Sequence, residues 1–399
     1  MTHPGIDTAT ARWLVPLAAL CAGVTVANIY LAYPVLPLIA EQFDVGDGAV
    51  QFVVTGAQLG YAAGLFLLTP LGDTMRRPRL LATLVVLTAV GLAVAALSAS
   101  VAMFVVATVC FAFVTVAPHV LIPYIVTIVP PARQGRSLAT IGAGMTTGIV
   151  LSRVLGGGIG ELWGWRALFL LSAVATLAVG LATALALPRE TRPRGIPYHR
   201  LLWSMLVLLR TEPAIRRAVS VQIPVFATFN LVWVPLVFLL TGPPYGLSVA
   251  TAGLVGLLSL STVVAAPFTG RLLERFGSMR VMALGLPVLV GGAIVMLFSA
   301  QAIVAVVAGI ILLAVGQQAI QIGNQSRVLN ASTDSRSRLN TLFMTSNFLG
   351  GSCASLAAAY IYSHYGWQGI TIGALATALL AGILWIVLEG LPRRRRAAS

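Results

Sequence analysis

Residues 80–97 read LLATLVVLTAVGLAVAAL, and no charged side chain interrupts them. A helix needs about 20 such residues to cross a hydrocarbon core of about 30 Å. The stretch is apolar on every side and lacks the polar–apolar alternation of a barrel strand, so it predicts a membrane-spanning helix. Similar stretches recur along nearly the whole chain of 399 residues, of which 58% are hydrophobic and 9% charged. These features predict an integral membrane protein.

Twelve such stretches can be counted, which predicts an all-α membrane protein. A polar interval separates the first six from the last six. We therefore expect an N-terminal six-helix bundle (1–187), a cytoplasmic linker (188–215) and a C-terminal six-helix bundle with a basic cytoplasmic tail (216–399). Within the linker, YHRLLWSMLVLLR is short and has basic ends, which favours a helix lying at the membrane interface. The spans begin near Trp13, Ala49, Leu80, Val101, Ser137, Arg166, Arg216, Ala250, Met279, Ala302, Leu339 and Ile370.

The basic residues, all of them arginine, give the chain a net charge of +14. Threading the twelve spans places 23 of the 25 arginines on one side, and only Arg153 and Arg166 fall elsewhere. The positive-inside rule assigns the arginine-rich side and both termini to the cytoplasm. We therefore expect a multi-pass protein in contact with the lipid bilayer, and no nucleic-acid partner, because the charge follows the topology.

Chemistry other than transport has little support in the sequence. The three cysteines lie inside separate spans without metal-ligand spacing, which argues against a disulfide and a metal site. The chain contains no HExxH, no GxSxG and no pair of acids within a span. We expect no cofactor and no enzymatic activity.

The two halves of the sequence repeat each other with an offset of about 201 residues. PLGDTMRRPRLL (70–81) corresponds to TGRLLERFGSMR (269–280), and LWGWRALF around Trp165 corresponds to HYGWQGIT around Trp367. Six spans in each half make this a parallel repeat. Transporters are often built in this way, because two similar bundles can rock about a site between them. A receptor that does not transport could carry the same duplication.

These residues resemble the major facilitator superfamily, and within it the twelve-span, drug:proton antiporter-like bacterial exporters. The family loop Gly-x-x-x-Asp-Arg-x-Gly-Arg-Arg is matched at Asp73 and Arg77, and the second copy provides Glu274 and Arg275. The resemblance implies proton-coupled efflux of drugs or metabolites by a monomer in the bacterial inner membrane. It also implies that these four residues form a conformational latch on the cytoplasmic side. The alternative is a solvated loop whose charges only set the topology.

The stretch GIVLSRVLGGG (148–158) places one guanidinium, Arg153, inside a predicted span. Gly148, Ser152 and Gly156 recur every fourth residue and predict a smooth face for close helix packing. An arginine at the membrane centre costs about 2.5–3.5 kcal/mol, so we expect Arg153 to face a wet cavity or a protein partner. In the family motif that this stretch resembles, a proline stands at this position. Arg153 can bind the substrate or a coupling ion, or it can tie helices together.

Polar residues on the spans that the resemblance assigns to the central cavity complete the predicted site. No acidic residue lies near the middle of a span, so we expect His119, whose ordinary pKa is about 6.5, to couple protons together with Asp73 and Arg153. Glu41 and Glu161, near the outer ends of their spans, are the alternatives. The predicted substrate is a small amphipathic or hydrophobic compound. The alternative is an anionic or sugar-like solute moved by exchange or facilitated diffusion. The predicted substrate-binding residues are Asn28, Tyr33, His119, Arg153, Asn230, Trp233, Gln318, Gln321 and Asn347, with Gln58 a weaker candidate.

Overall fold

The computed structural model describes residues 8–188, 197–332 and 335–390, and within these ranges the regular structure is entirely helical. The arginine-rich tail and the centre of the linker lie outside the described residues. The helices are α1 (Thr8–Tyr30), α2 (Leu36–Phe43), α3 (Asp47–Leu68), α4 (Arg77–Ala96), α5 (Val101–Val114), α6 (Ala117–Ile128), α7 (Pro131–Ala186), α8 (Tyr198–Thr211), α9 (Pro213–Trp233), α10 (Leu236–Thr241), α11 (Val249–Leu254), α12 (Leu260–Met296), α13 (Ile303–Ala331) and α14 (Arg336–Gly390).

Nine helical stretches in the described part of the chain are long and apolar enough to cross a membrane. Three of them have 56, 48 and 54 residues, twice the length that one crossing needs. Each of the three is interrupted by a glycine with positive φ: Gly164 (81°), Gly277 (78°) and Gly366 (60°). Residues with a side chain rarely adopt a positive φ. Glycine adopts it readily, so these three glycines allow the chain to end one helix and begin the next. The division is consistent with the twelve predicted spans.

Proline interrupts three of the predicted spans, although hydropathy predicts each of them as continuous. Pro34 lies in a short 3₁₀ helix between α1 and α2, Pro118 in the first turn of α6 directly after α5, and Pro235 between α9 and α10. Proline has no N–H to donate and its ring clashes with the preceding turn, which favours a break at these three positions, whereas Pro16, Pro123 and Pro224 lie inside continuous helices. The first, fourth and seventh spans are therefore discontinuous.

The chain forms two compact units. The first comprises the described residues up to Val45, Gly56–Trp203 and Ser248–Gly256. The second comprises Gly46–Thr55, Ser204–Leu247 and the described residues from Leu257 onward. Each unit therefore contains one short segment from the other half of the sequence.

In the first unit, the predicted small-residue face of α7 packs directly against α1. A Cβ atom on Gly148 would lie 2.6 Å from the carbonyl carbon of Gly23, and one on Gly144 would lie 2.8 Å from that of Ala19. Gly156 continues the contact, where a Cβ atom would lie 2.9 Å from Pro34. The prediction of a close helix contact along this face is confirmed.

The two halves also repeat local hydrogen bonds. The hydroxyls of Ser98 and Ser299, which are 201 residues apart, each donate to the carbonyl three residues earlier. The carbonyl of Ser98 accepts from Arg166 at 2.9 Å, and that of Ser299 accepts from the hydroxyl of Tyr245 at 2.6 Å. The two equivalent carbonyls thus both accept a hydrogen bond, although the donors Arg166 and Tyr245 are not equivalent positions of the repeat.

The linker segment proposed as an interfacial helix forms α8. This helix exposes 65% of Trp203 and buries Met205. One apolar side chain is thus available to lipid while another packs inward, an amphipathic arrangement that fits an interfacial position. The location of α8 at the membrane surface stays a prediction.

Candidate functional site

Arg153 lies in α7 and is almost completely buried, with 5% of its surface exposed. The guanidinium carbon is 5.4 Å from the ring centroid of Tyr30 and 6.0 Å from that of Tyr33. Aromatic faces carry partial negative charge and stabilise a cation by about 0.5–2 kcal/mol, depending on desolvation. Arg153 therefore faces protein groups of the first unit, which excludes a lipid-facing position.

The polar site continues from these tyrosines into α3. The Tyr33 hydroxyl accepts a hydrogen bond of 2.8 Å from the side-chain amide of Gln58, which is buried. Tyr30 and Tyr33 are themselves in ring contact at 5.6 Å. The break after α1 positions this pair, because Tyr30 is the last residue of α1 and Tyr33 begins the 3₁₀ helix that contains Pro34. Four separate elements thus contribute to one site: α7, the end of α1, the 3₁₀ helix that follows it, and α3.

His119 pairs with Tyr61, one helical turn beyond Gln58 on α3. The Tyr61 hydroxyl and Nε2 of His119 are 2.9 Å apart, and either can donate, depending on the tautomer. His119 is half-buried and lies in the first turn of α6, next to the break at Pro118. The hydrogen bond can run in either direction, because neutral imidazole has one donor and one acceptor nitrogen and a hydroxyl can act as either.

Asn28 occupies a different environment in the first unit. Its side-chain amide donates a hydrogen bond of 2.9 Å to the hydroxyl of Thr176, in the part of α7 that follows Gly164. It also lines a groove of about 470 Å³ between α1 and α7. The groove is otherwise mainly apolar, with Leu20 and Leu151 half-exposed on its wall. The hydrogen-bond partner of the Asn28 amide is therefore Thr176, which is not one of the predicted site residues.

Five predicted residues belong to the second unit. The Asn230 amide donates to the Phe226 carbonyl of its own helix, and Trp233 contacts Phe229 at 5.5 Å. Gln321 accepts a 2.5 Å hydrogen bond from the Gln317 amide, one turn earlier on α13. Gln318 on α13 is half-buried, and Asn347 on α14 is buried.

The acidic loop residues differ between the two copies of the loop. In the first, Arg77 forms an ion pair of 3.3 Å with Asp73 and donates 2.9 Å to the Gly72 carbonyl. In the second copy, Glu274 and Arg275 are both exposed. The arrangement of the first copy provides the contacts a latch would use, whereas the second presents its charges to the surroundings. The latch role of all four residues stays a prediction.

Sequence reasoning missed two tyrosines. Tyr30 contributes the nearer ring at Arg153, and Tyr61 is the partner of His119. Tyr30 and Tyr33 are three residues apart but lie on either side of the end of α1, so the usable signal was the spacing on α3, where Tyr61 follows Gln58 by three. Residues three apart share a helix face.

The chain is similar to known transporters over nearly its full length. The sequence profile of the Major Facilitator Superfamily matches residues 18–242 and 218–399. The chain is 38% identical to the probable transporter SCO4007 of Streptomyces coelicolor, over 96% of this chain and 87% of that one. It is 32% identical to the putative uncharacterized transporter YgaY of Escherichia coli K12, over 96% and 97%.

Solved structures show the same fold. The nucleoside transporter NupG gives a TM-score of 0.76 at 14% identity, with 95% of this chain and 99% of that chain covered. A bacterial homolog of the human lysosomal transporter Spinster, in an inward-facing occupied conformation, also gives 0.76 at 14% identity, with 96% and 98% covered. At this identity the likeness supports the fold alone.

Proposed function

We propose a specific transport activity for this chain, which belongs to the Major Facilitator Superfamily and is a membrane transporter, not an enzyme. The proposed activity is export of a small amphipathic or hydrophobic compound, a drug or a metabolite. Export would proceed by alternating access, driven by inward proton flow. We further propose that it acts as a monomer in the bacterial inner membrane, with both termini in the cytoplasm.

The observation that carries this proposal is the site around Arg153. A cation lies against two tyrosine rings beside a buried glutamine, within helices that are otherwise apolar. Aromatic and apolar surfaces with a few polar groups bind compounds that have both characters. In this proposal Arg153, Tyr33 and Gln58 contact the polar part of the substrate. Asn28, Asn230, Trp233, Gln318, Gln321 and Asn347 are further candidate contacts.

For proton coupling we propose the pair formed by His119 and Tyr61, with Asp73 and Arg153 responding to the change in charge. Histidine is the side chain whose ordinary pKa lies nearest neutrality. The 2.9 Å contact gives the imidazole a hydroxyl partner that can donate to Nε2 of the neutral ring or accept from it, so the hydrogen bond can adapt when the ring changes protonation state. The chain has no acidic residue near the middle of a predicted span that could take this role instead.

The second candidate, transport of an anionic or sugar-like solute, rests on the same arginine. A buried cation in spans that carry no central carboxylate gives the first unit a positive bias. Such a bias favours a substrate with a carboxylate or sulfonate group. Transport would then need no proton gradient, and exchange of one solute for another would suffice.

Transport into and out of liposomes with an imposed pH gradient tests both candidates. Purified protein would be assayed with a cationic and an anionic amphipathic dye, as wild type, Arg153→Ala and His119→Ala. Arg136→Ala is the matched control, because Arg136 is an exposed arginine of the same helix. A charge-assisted hydrogen bond contributes about 1.5–3 kcal/mol, so Arg153→Ala should lower transport about 10- to 100-fold and Arg136→Ala should not.

The outcomes separate the candidates. If the compound is exported with protons, His119→Ala should abolish the stimulation by the pH gradient. If only the anionic dye is carried, and the gradient has no effect, the second candidate replaces the first. Normal transport by both Arg153→Ala and His119→Ala would overturn the assignment of the site, because these side chains would then be structural.

A further inference from the structure

One face of α7 packs against Ser248–Gly256, a segment of the first unit, with no room for side chains between them. A Cβ atom on Gly157 would lie 2.8 Å from the Val249 carbonyl oxygen, and one on Gly253 would lie 2.7 Å from the Arg153 carbonyl oxygen. Both obstructing atoms belong to the backbone and cannot rotate away. Glycine is therefore required on both sides of this contact.

The same segment covers Arg153. A Cβ atom at Gly256 would lie 2.6 Å from Cβ of Arg153, 3.2 Å from Cδ and 3.5 Å from Cγ, so the backbone of Gly256 rests on the aliphatic part of the side chain. Tyr30 and Tyr33 lie over the guanidinium. The low exposure of Arg153 thus depends partly on the segment staying in place.

A carboxylate holds the far end of this contact. Oε2 of Glu161 accepts a 2.7 Å hydrogen bond from the backbone N–H of Ala250, in the first turn of α11. The first N–H groups of a helix have no partner within the helix, and a carboxylate satisfies them with a strong, charge-assisted bond. Arg153, Gly157 and Glu161 are spaced every fourth residue, so the covered cation, the glycine contact and the Glu161 carboxylate share one face of α7.

We propose that the Ser248–Gly256 segment is a gate over Arg153 and that Glu161 is the latch that keeps the gate closed. The contacts at Gly157, Gly253 and Gly256 are van der Waals contacts, which lose about a quarter to a half of their attraction when the backbones separate by about 0.5–1 Å. Release of Glu161 would therefore let the segment move and uncover the cation. The arginine distribution predicts that the part of α7 around Glu161 lies on the non-cytoplasmic side of the membrane. The role given to Arg153 rests on the proposed function, whereas the gate itself does not.

Cysteine labelling in membrane vesicles tests the gate without any substrate. Ala252 lies within the segment and is 7% exposed. A protein whose three native cysteines are replaced would carry Ala252→Cys and be treated from the outer side with a membrane-impermeant maleimide. Glu161→Ala should raise the labelling rate about tenfold, and Glu161→Gln, which keeps a neutral acceptor, about threefold.

Two further variants complete the test. Gly253→Ala should also accelerate labelling, because its Cβ would push the segment away from Arg153. Glu41→Ala removes another exposed carboxylate of the first unit, on α2, and should leave the rate unchanged.

Equal rates for Glu161→Ala and its parent would overturn the proposal, and so would an equal acceleration by Glu41→Ala. Faster labelling by Gly253→Ala alone would also overturn the latch. Failure of the proposed function would appear differently, as normal transport by Arg153→Ala with the labelling pattern intact.

Discussion

Because α7 packs closely on α1, we expect alanine substitutions at Gly142 and Gly148 of α7 to have different effects on the free energy of unfolding. Alanine at Gly148 would place Cβ 2.6 Å from the carbonyl carbon of Gly23, whereas alanine at Gly142 would meet nothing within 4 Å. Both substitutions gain the same intrinsic helix propensity, about 1 kcal/mol. Only Gly148→Ala must also push two backbones apart, and overpacking of this kind costs about 1–3 kcal/mol, occasionally more.

The difference between the two variants therefore isolates the packing effect. We expect Gly142→Ala to equal or exceed the wild type in free energy of unfolding, and Gly148→Ala to lie about 1–3 kcal/mol below Gly142→Ala. Unfolding of the purified protein in mixed detergent micelles, with denaturing detergent as the variable, measures both values. Size-exclusion chromatography before the titration would confirm that each variant starts from a folded protein.

Equal stability of the two variants would refute the reasoning, because α1 and α7 would then not be in backbone contact at Gly148. A loss of stability in Gly142→Ala alone would refute it as well. Gly144→Ala, whose Cβ would lie 2.8 Å from the Ala19 carbonyl carbon, should behave like Gly148→Ala and provides an internal repeat of the test.

Substitutions at two other sites, each paired with a control, should lower the free energy of unfolding. Glu389 and Arg327 form an ion pair of 2.7 Å with side chains 8% and 17% exposed, so Glu389→Ala should cost about 3–5 kcal/mol by leaving a buried charge. The joint replacement Arg327→Met with Glu389→Leu should cost much less, and a double-mutant cycle of unfolding free energies would show this. Gly164 has φ 81° and ψ 157°, a conformation nearly restricted to glycine, so Gly164→Ala should cost about 1–3 kcal/mol. Gly158→Ala, which meets open space within a helix, should not lower the melting temperature.

Most of the fold could be predicted from the sequence, because hydrophobic length and arginine placement dominate in a membrane. The sequence-based boundary before Val101 agrees with the start of α5. The interruptions at Pro34, Pro118 and Pro235 were not predicted. Hydropathy averages over a window and does not register which prolines interrupt a helix and which, like Pro16 and Pro224, lie inside one.

The site was predictable only in part, because its decisive contacts join residues far apart in sequence. Burial of Arg153 against protein followed from the expense of placing a charge in lipid. Its contact with Tyr33 required knowledge of how the chain turns after Tyr30, the last residue of α1. The Tyr61–His119 pair required the distance between α3 and α6, and an isolated tyrosine in an apolar span resembles an ordinary core residue.

The two faces of α7 have different physical tasks, although small residues form both. Gly148 and Gly156 pack on α1 and its continuation, while Gly157 packs on the Ser248–Gly256 segment. Neighbouring positions are about 100° apart around a helix, so a substitution on one face leaves the other nearly untouched. The face toward α1 has its close contacts with backbone and proline atoms, whereas the face toward the segment includes a charged latch and a covered cation. Substitutions at Gly148 should therefore alter folding, and those at Gly157 or Glu161 should alter access to Arg153 in a protein that still folds.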